Sequence, residues 1–251
     1  MSMGSIRGTG LGRVVKVVAE NHDVNSLYLN DFDESFAERK AGQWLSIRLP
    51  KDGGWSEPHP FTISCAPEDH HLRLTIKKIG EFTSTIPALK PGTEVKLAGP
   101  LGTFCRDIEA HPSIVLIAGG VGITPFLSVL RHFRHIRAVN RVKLFWSNKT
   151  SNDVFSAEEL KAIADEINLR VIHVFSRQED TGEFSDEHDP HTRYATGRMT
   201  RDVLKENQVS SDDAVYVCGP APMQDFVLGE LRSLGKEPSH VEKESFSWEK
   251  K

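Results

Sequence analysis

Cysteine is scarce in this chain of 251 residues: Cys65, Cys105 and Cys218 are the three present, far apart and outside any CxxC pair or ferredoxin-like cluster. No iron–sulfur centre is encoded. A surplus of one charge is also lacking, since the formal net charge is −4. Without a basic excess, neither nucleic acid nor an anionic membrane surface is an expected partner. No apolar stretch approaches the roughly twenty residues of a membrane span, and residues 1–12 hold no hydrophobic core of a signal peptide. A cytoplasmic protein is expected, reaching the cytoplasmic face of a membrane only through a partner. Internal repeats and low-complexity tracts are absent. The polar, acidic segment 178–192 contains His188 and His191, but no helix or knuckle enforces ligand spacing there. It reads as an exposed loop, and no metal site is expected.

What the chain does have is a change of pattern near residue 110. Before it, short runs at 14–18, 44–49, 72–76 and 94–97 alternate apolar and polar, with turn chemistry at 51–54 and 90–93. Such runs predict the antiparallel strands of a small barrel. After Pro112, apolar runs at 114–118, 142–146, 171–175 and 214–218 alternate with helical segments near 125–137, 156–167, 200–206 and 222–234. That is the layout of a parallel, Rossmann-like sheet wrapped by helices. Two domains are expected, 1–110 and 111–251. Ser156 with Glu159 reads as a capping box, and Gly235 as the residue that closes the last helix.

The segment Ser-Ile-Val-Leu-Ile-Ala-Gly-Gly-Val-Gly-Ile-Thr-Pro at 113–125 carries the strongest signal. Its apolar run has the length of a strand covered on both faces, and Gly119, Gly120 and Gly122 let backbone approach a ligand closely. Thr124 as a polar cap and Pro125 in the first turn leave free amides at a positive helix end, the geometry that holds a diphosphate. Another buried strand runs into Cys218-Gly219-Pro220, and ligands of such sheets bind at the carboxyl edge.

In the first half, Pro60 fixes the backbone of His59-Pro60-Phe61-Thr62 in an extended strand. There Phe61 can stack on a flat ring, Thr62 can offer a hydroxyl to that ring's nitrogen edge and His59 can meet a phosphate; the same pattern also describes a strand start with a buried Phe. Gly80, Thr83, Ser84 and Thr85 combine a glycine with hydroxyls at a strand-to-helix turn. Cys65 and Cys105 read as small packed thiols.

Taken in order, these segments resemble the ferredoxin–NADP reductase superfamily: His59-Pro60-Phe61-Thr62, Gly80-x-x-Thr83, Gly99-Pro100-Leu101-Gly102, the glycine turn through Pro125, Cys218-Gly219-Pro220 and Glu244-Ser245-Phe246. The family's flavin motif begins with Arg and has Tyr before the hydroxyl residue. The His-Pro-Phe-Thr form is similar to the dehydrogenase domains of NADPH oxidases and ferric reductases. The resemblance implies FAD in the barrel, with Phe61 on the isoalloxazine, Thr62 at flavin N5, His59 beside the phosphates and Thr83 with the amides of residues 80–85 on the pyrophosphate. It implies a nicotinamide nucleotide on residues 119–125, with Cys218 lining the hydride path and Glu244 adding a carboxylate. Phe246 or Trp248 would cover the flavin until nicotinamide displaces it. Ser176-Arg177, Arg193 and Tyr194 resemble the family's pocket for a 2′-phosphate, and Lys149 would assist, so NADPH is favoured over NADH.

The expected activity is a flavin-dependent oxidoreductase: hydride passes from NAD(P)H to FAD, then single electrons pass to a separate acceptor. That acceptor would be haem in a membrane partner, ferric iron or a small carrier. The alternative is a non-catalytic module that binds flavin or nucleotide and docks to a larger complex.

Overall fold

The computed structural model describes residues 8–180, 189–235 and 240–245. It divides into two compact units, one holding residues up to Arg106 together with Thr124–His132, the other Asp107–Ile123 together with the chain from Phe133 onward.

The first unit is a six-stranded antiparallel sheet rolled into a nearly closed barrel. Its strands are β1 (Gly8–Ala19), β2 (Val24–Asn30), β3 (Trp44–Arg48), β6 (His59–Thr62), β7 (Leu72–Lys77) and β8 (Glu94–Leu101), with a small hairpin of β4 (Pro50–Lys51) and β5 (Gly54–Trp55). They lie in the order β6-β3-β8-β1-β2-β7. Alternate residues supply the interior: Leu27 and Leu29, Leu45 and Ile47, Leu72, Leu74 and Ile76, Val95 and Leu97 are all buried. Just past β6, the Ser64 N–H donates to the Arg73 carbonyl in β7 at 2.8 Å, drawing the two outer strands together.

β2 escapes a reading by hydrophobic alternation because a polar residue, Ser26, holds one of its buried positions. Its hydroxyl is answered inside by Thr75 at 2.9 Å, and Thr75 also meets Ser64 at 2.9 Å. The loop after β6 is organised by Arg39, whose guanidinium donates to the carbonyls of Phe36, Ala66, Asp69 and His71. A short helix, α1 (Glu81–Thr85), follows β7.

In the second unit a parallel sheet contains β9 (Ser113–Gly119), β10 (Arg141–Asn148), β11 (Leu169–Phe175), β12 (Thr192–Thr196), β13 (Ala214–Cys218) and β14 (His240–Glu244), with helices α3 (Ala157–Ala164), α4 (Arg201–Glu206) and α5 (Ala221–Ser233). Helix α2 (Thr124–Ile136), which follows β9, gives residues 124–132 to the first unit and only its last turn to the second. The strand order is β12-β11-β10-β9-β13-β14. All of β9 and β13 is buried, as apolar runs covered on both faces require. Val115, Ile117, Phe145, Ile172 and Val174 pack on one face against Leu204 of α4 and Val227 and Leu231 of α5.

All four expected parallel strands and all four helices are present. β12 and β14 join them: the strand begins at Thr192, inside the segment read as loop, and β14 is the polar sequence HVEKE at a sheet edge, where one side needs no partner. The capping box at Ser156 does not form. Ser156 has φ 56, a left-handed backbone that is not the extended one a capping residue takes, and its side chain makes no capping bond. The reciprocal cap instead joins Thr150 and Asp153. Gly235 does close α5, with φ 68. Cys65 and Cys105 are buried, as read.

Candidate functional site

Strand order reverses direction between β9 and β13, and in an open parallel sheet the crevice beyond such a reversal receives ligands. Both strands end in glycine-containing loops that touch. A Cβ on Gly122 would lie 2.4 Å from the Cys218 carbonyl oxygen, and one on Gly119 would lie 2.9 Å from the ring carbon Cδ of Pro220. These two glycines are therefore required by contact between the loops. Gly120 differs: it has φ 53 and an added Cβ would meet nothing within 4 Å. Its carbonyl is held by Trp146 Nε1 at 2.9 Å. A glycine turned left-handed toward open space, ahead of a helix, is a cradle that fits a nucleotide diphosphate. Thr124 is not the cap expected of it. A 3-10 turn over Gly120–Ile123 runs straight into α2, so Thr124 is the first helical residue and is buried, with Pro125 in the first turn as read. The unanswered amides consequently begin at the glycines themselves.

Cys218 and Glu244 stand opposite one another in the β13–β14 register. Burial pushes the Cys218 thiol well above its ordinary range, and the Glu244 carboxylate pushes it further. This sulfur, with no exposed surface, remains a thiol and is not a nucleophile. Burial also raises Glu244, opposed by a hydrogen bond from the Ser245 N–H. Pro220 sits at the cap of α5, after Gly219. Gln224, which sequence reading passed over, lies in the first turns of α5 and bonds to both strand ends. A glutamine beside a Gly-Pro turn gives no periodic or motif signal.

In the first unit the β6 segment departs from expectation in two side chains. Phe61 is 7% exposed within the barrel core, its ring near parallel to Phe82 at 6.1 Å. With so little surface open, a flat ring can stack on Phe61 only after neighbouring atoms move. His59 stacks on Phe82 at 3.6 Å, and burial lowers its pKa against a smaller opposing pull from Glu57. It presents a neutral ring near pH 7, not the cation suited to phosphate. Thr62 is as covered as Phe61, at 6% exposure, but among the described residues its hydroxyl has no hydrogen-bond partner, so a donor is left for a ligand once neighbouring atoms move. Pro60 occupies the outer strand of the sheet, where its missing N–H costs nothing.

At Gly80 the hydroxyls turn inward. Thr83 Oγ1 accepts from the N–H groups of Ile79 and Gly80 at 2.9 and 3.0 Å. Ser84 donates to the Gly80 carbonyl and Thr85 to that of Phe82. Thr83 thus shapes the turn rather than reaching a ligand, and the amides left for an anion are those of the first turn, Glu81 to Thr83.

Of the four residues expected around a 2′-phosphate, two cannot share one face of the sheet. Arg193 and Tyr194 are successive residues of β12, paired with Ile172 and His173, so they project to opposite faces of the sheet. Tyr194 stacks on His173 at 5.5 Å, whereas Arg193 bonds to the Thr192 carbonyl. Ser176 and Arg177 do stand at the carboxyl edge, anchored to Asn148 and Lys149 carbonyls at 2.9 and 2.8 Å. Phe246 and Trp248 lie outside the described residues.

Residues 12–93 match the family described as an FAD-binding domain, and residues 116–228 that described as an oxidoreductase NAD-binding domain. The chain is 29% identical over 256 residues to oxidoreductase NAD-binding domain-containing protein 1 of Pongo abelii, spanning 95% of this chain and 78% of that one. It is 27% identical over 241 residues to the ferredoxin–NAD(P)(+) reductase component of the naphthalene 1,2-dioxygenase system of Pseudomonas putida, spanning 94% and 68%. The cytochrome b5 reductase domain of Ulva prolifera nitrate reductase superposes with a TM-score of 0.76 at 21% identity over 96% of this chain and 98% of that one, a likeness of fold. The narrower likeness to NADPH oxidases and ferric reductases rests on residues 59–62 alone.

Proposed function

Since the chain belongs to the ferredoxin–NADP reductase superfamily, and is an NAD(P)H-dependent, FAD-containing reductase that passes electrons to a partner, we propose that its acceptor is a one-electron centre on a separate protein, haem or a ferredoxin-type carrier. Bound FAD supplies the conversion of a two-electron hydride donor into single electrons. The observation that carries the proposal is the glycine cradle at the strand reversal, joined to the thiol and carboxylate at the end of β13 and β14. The chain's three dispersed cysteines leave the onward carrier to the partner.

Each residue has a task. Gly120 and the amides that follow it bind the nucleotide diphosphate, and Gly119 and Gly122 hold that turn against Cys218. Cys218, a neutral thiol, leaves room and adds no charge beside the nicotinamide. Glu244 orients the nicotinamide amide. Thr62 donates its free hydroxyl to flavin N5, and the first-turn amides of α1 meet the flavin phosphates. Ser176 and Arg177 contact the adenosine end, where the guanidinium favours a 2′-phosphate. The non-catalytic docking module has no need of this set.

The test is Thr62→Val, which deletes the hydroxyl and keeps the shape. Loss of one hydrogen bond that strengthens as charge moves slows flavin reduction by about tenfold or more, with FAD content unchanged. Equal reduction rates for the two proteins would remove Thr62 from the site.

A further inference from the structure

We infer that Gln224 is a positioning residue for Glu244, clamping the end of β14 to the end of β13 so that the carboxylate stays beside Cys218. The inference rests on the reading of Glu244 given above. Gln224 is 2% exposed, and its carboxamide nitrogen lies 2.8 Å from the Gly219 carbonyl, 2.7 Å from the Glu244 carbonyl and 3.0 Å from Ser245 Oγ. Carbonyl oxygens only accept, so the chemistry itself fixes which end of the amide is the NH2. Its two protons serve three acceptors, and two of those belong to Glu244, the last residue of β14, and to Ser245 just beyond it.

That end of the chain needs a clamp. Among the described residues β14 pairs with β13 alone, and its side chains alternate between half-buried and exposed. His240 packs on Tyr216 at its start, but its one aliphatic side chain, Val241, is 42% exposed, which favours local fraying toward its end. Gln224 reaches Glu244 by two routes: directly through the Glu244 carbonyl, and through Ser245, whose N–H bonds the Glu244 carboxylate. The third bond ties the same amide to Gly219, whose added Cβ would lie 3.0 Å from Gly119 Cα. One buried side chain thus sets the spacing between the Cys218 loop and the Glu244 carboxylate. An apolar residue of similar size would leave two carbonyls unanswered.

The experiment compares wild type, Gln224→Leu, Glu244→Ala and the double variant, all loaded with FAD. Two quantities are measured: the rate of flavin reduction by saturating NADPH, and amide hydrogen exchange over residues 240–245 without nucleotide. Gln224→Leu is expected to speed exchange over 240–245 and to slow reduction about tenfold, whereas adding it to Glu244→Ala changes the rate less than about twofold. Losses that multiply in the double variant, or exchange that stays at the wild-type rate, overturn the inference. Glu244→Ala reducing flavin as fast as wild type overturns instead the reading of Glu244, and exchange alone then decides the clamp. Should Gln224→Leu fail to hold FAD, Ser245→Ala removes one arm of the clamp. A smaller slowing, present only when Glu244 is intact, supports the inference, and no slowing overturns it.

Discussion

His173 shows how far a single side chain can depart from its ordinary chemistry in this sheet. It sits on β11 at 4% exposure, with ring centres of Trp146 at 5.7 Å, Tyr194 at 5.5 Å and Phe175 at 6.1 Å. Burial, only partly offset by Asp189, lowers its pKa from 6.5 to about 4. The folded protein therefore refuses a proton that the unfolded chain accepts. Stability from this group is complete above pH 6.5 and is lost as pH falls from there to about 4, by about 3 kcal/mol in all. His173→Phe should flatten that fall: thermal unfolding at pH 7 and pH 5 differs less in the variant than in wild type. An equal difference in both proteins would contradict the assignment. Residues like His173, Gln224 and Phe82 were not legible in the sequence, because each owes its role to neighbours far along the chain. Cys218 and Thr62 stood out in the sequence because Gly219 follows the one and Pro60 lies two residues before the other, each constraining the local backbone.

Among elements, the glycine turn is where sequence and structure agree most and where contact separates two kinds of glycine. Gly122 is required by packing, with the Cys218 carbonyl 2.4 Å from any Cβ placed there, whereas Gly120 faces open space with φ 53. Gly122→Ala should lower stability by about 1–3 kcal/mol through overpacking and loosen nucleotide binding with it. Gly120→Ala carries the left-handed penalty of about 1–2 kcal/mol, yet its methyl enters the cradle itself, so NADP+ affinity falls by more than stability explains. Thermal unfolding paired with nucleotide titration separates the two; wild-type NADP+ affinity in Gly120→Ala would mean the diphosphate binds elsewhere. The strands β12 and β14 escaped reading for a shared reason. Edge strands need neither full burial nor clean alternation, so their five-residue polar sequences look like loop. Ser156 misled in the other direction, since a capping-box pattern says nothing of the left-handed backbone angle found there.

At the scale of the molecule, the order of a β-barrel followed by a parallel sheet was legible because periodicity changes once, from two-residue alternation to buried runs separated by helices. The recruitment of Thr124–His132 to the first unit was not. Ser128 Oγ donates to the Cys65 carbonyl at 2.7 Å and Arg131 to that of Ser64, contacts that no motif announces. Among the described residues no helix is long and apolar enough to cross a membrane. The central claim is that this one chain holds both a flavin and a nicotinamide nucleotide and moves hydride from the second to the first. It is tested most directly by mixing the FAD-loaded protein with NADPH in the absence of oxygen, once with ordinary cofactor and once with deuterium at the transferred position. The account predicts loss of the flavin's visible absorption, more slowly with deuterium. A protein that keeps its yellow colour with both NADPH and NADH contradicts it.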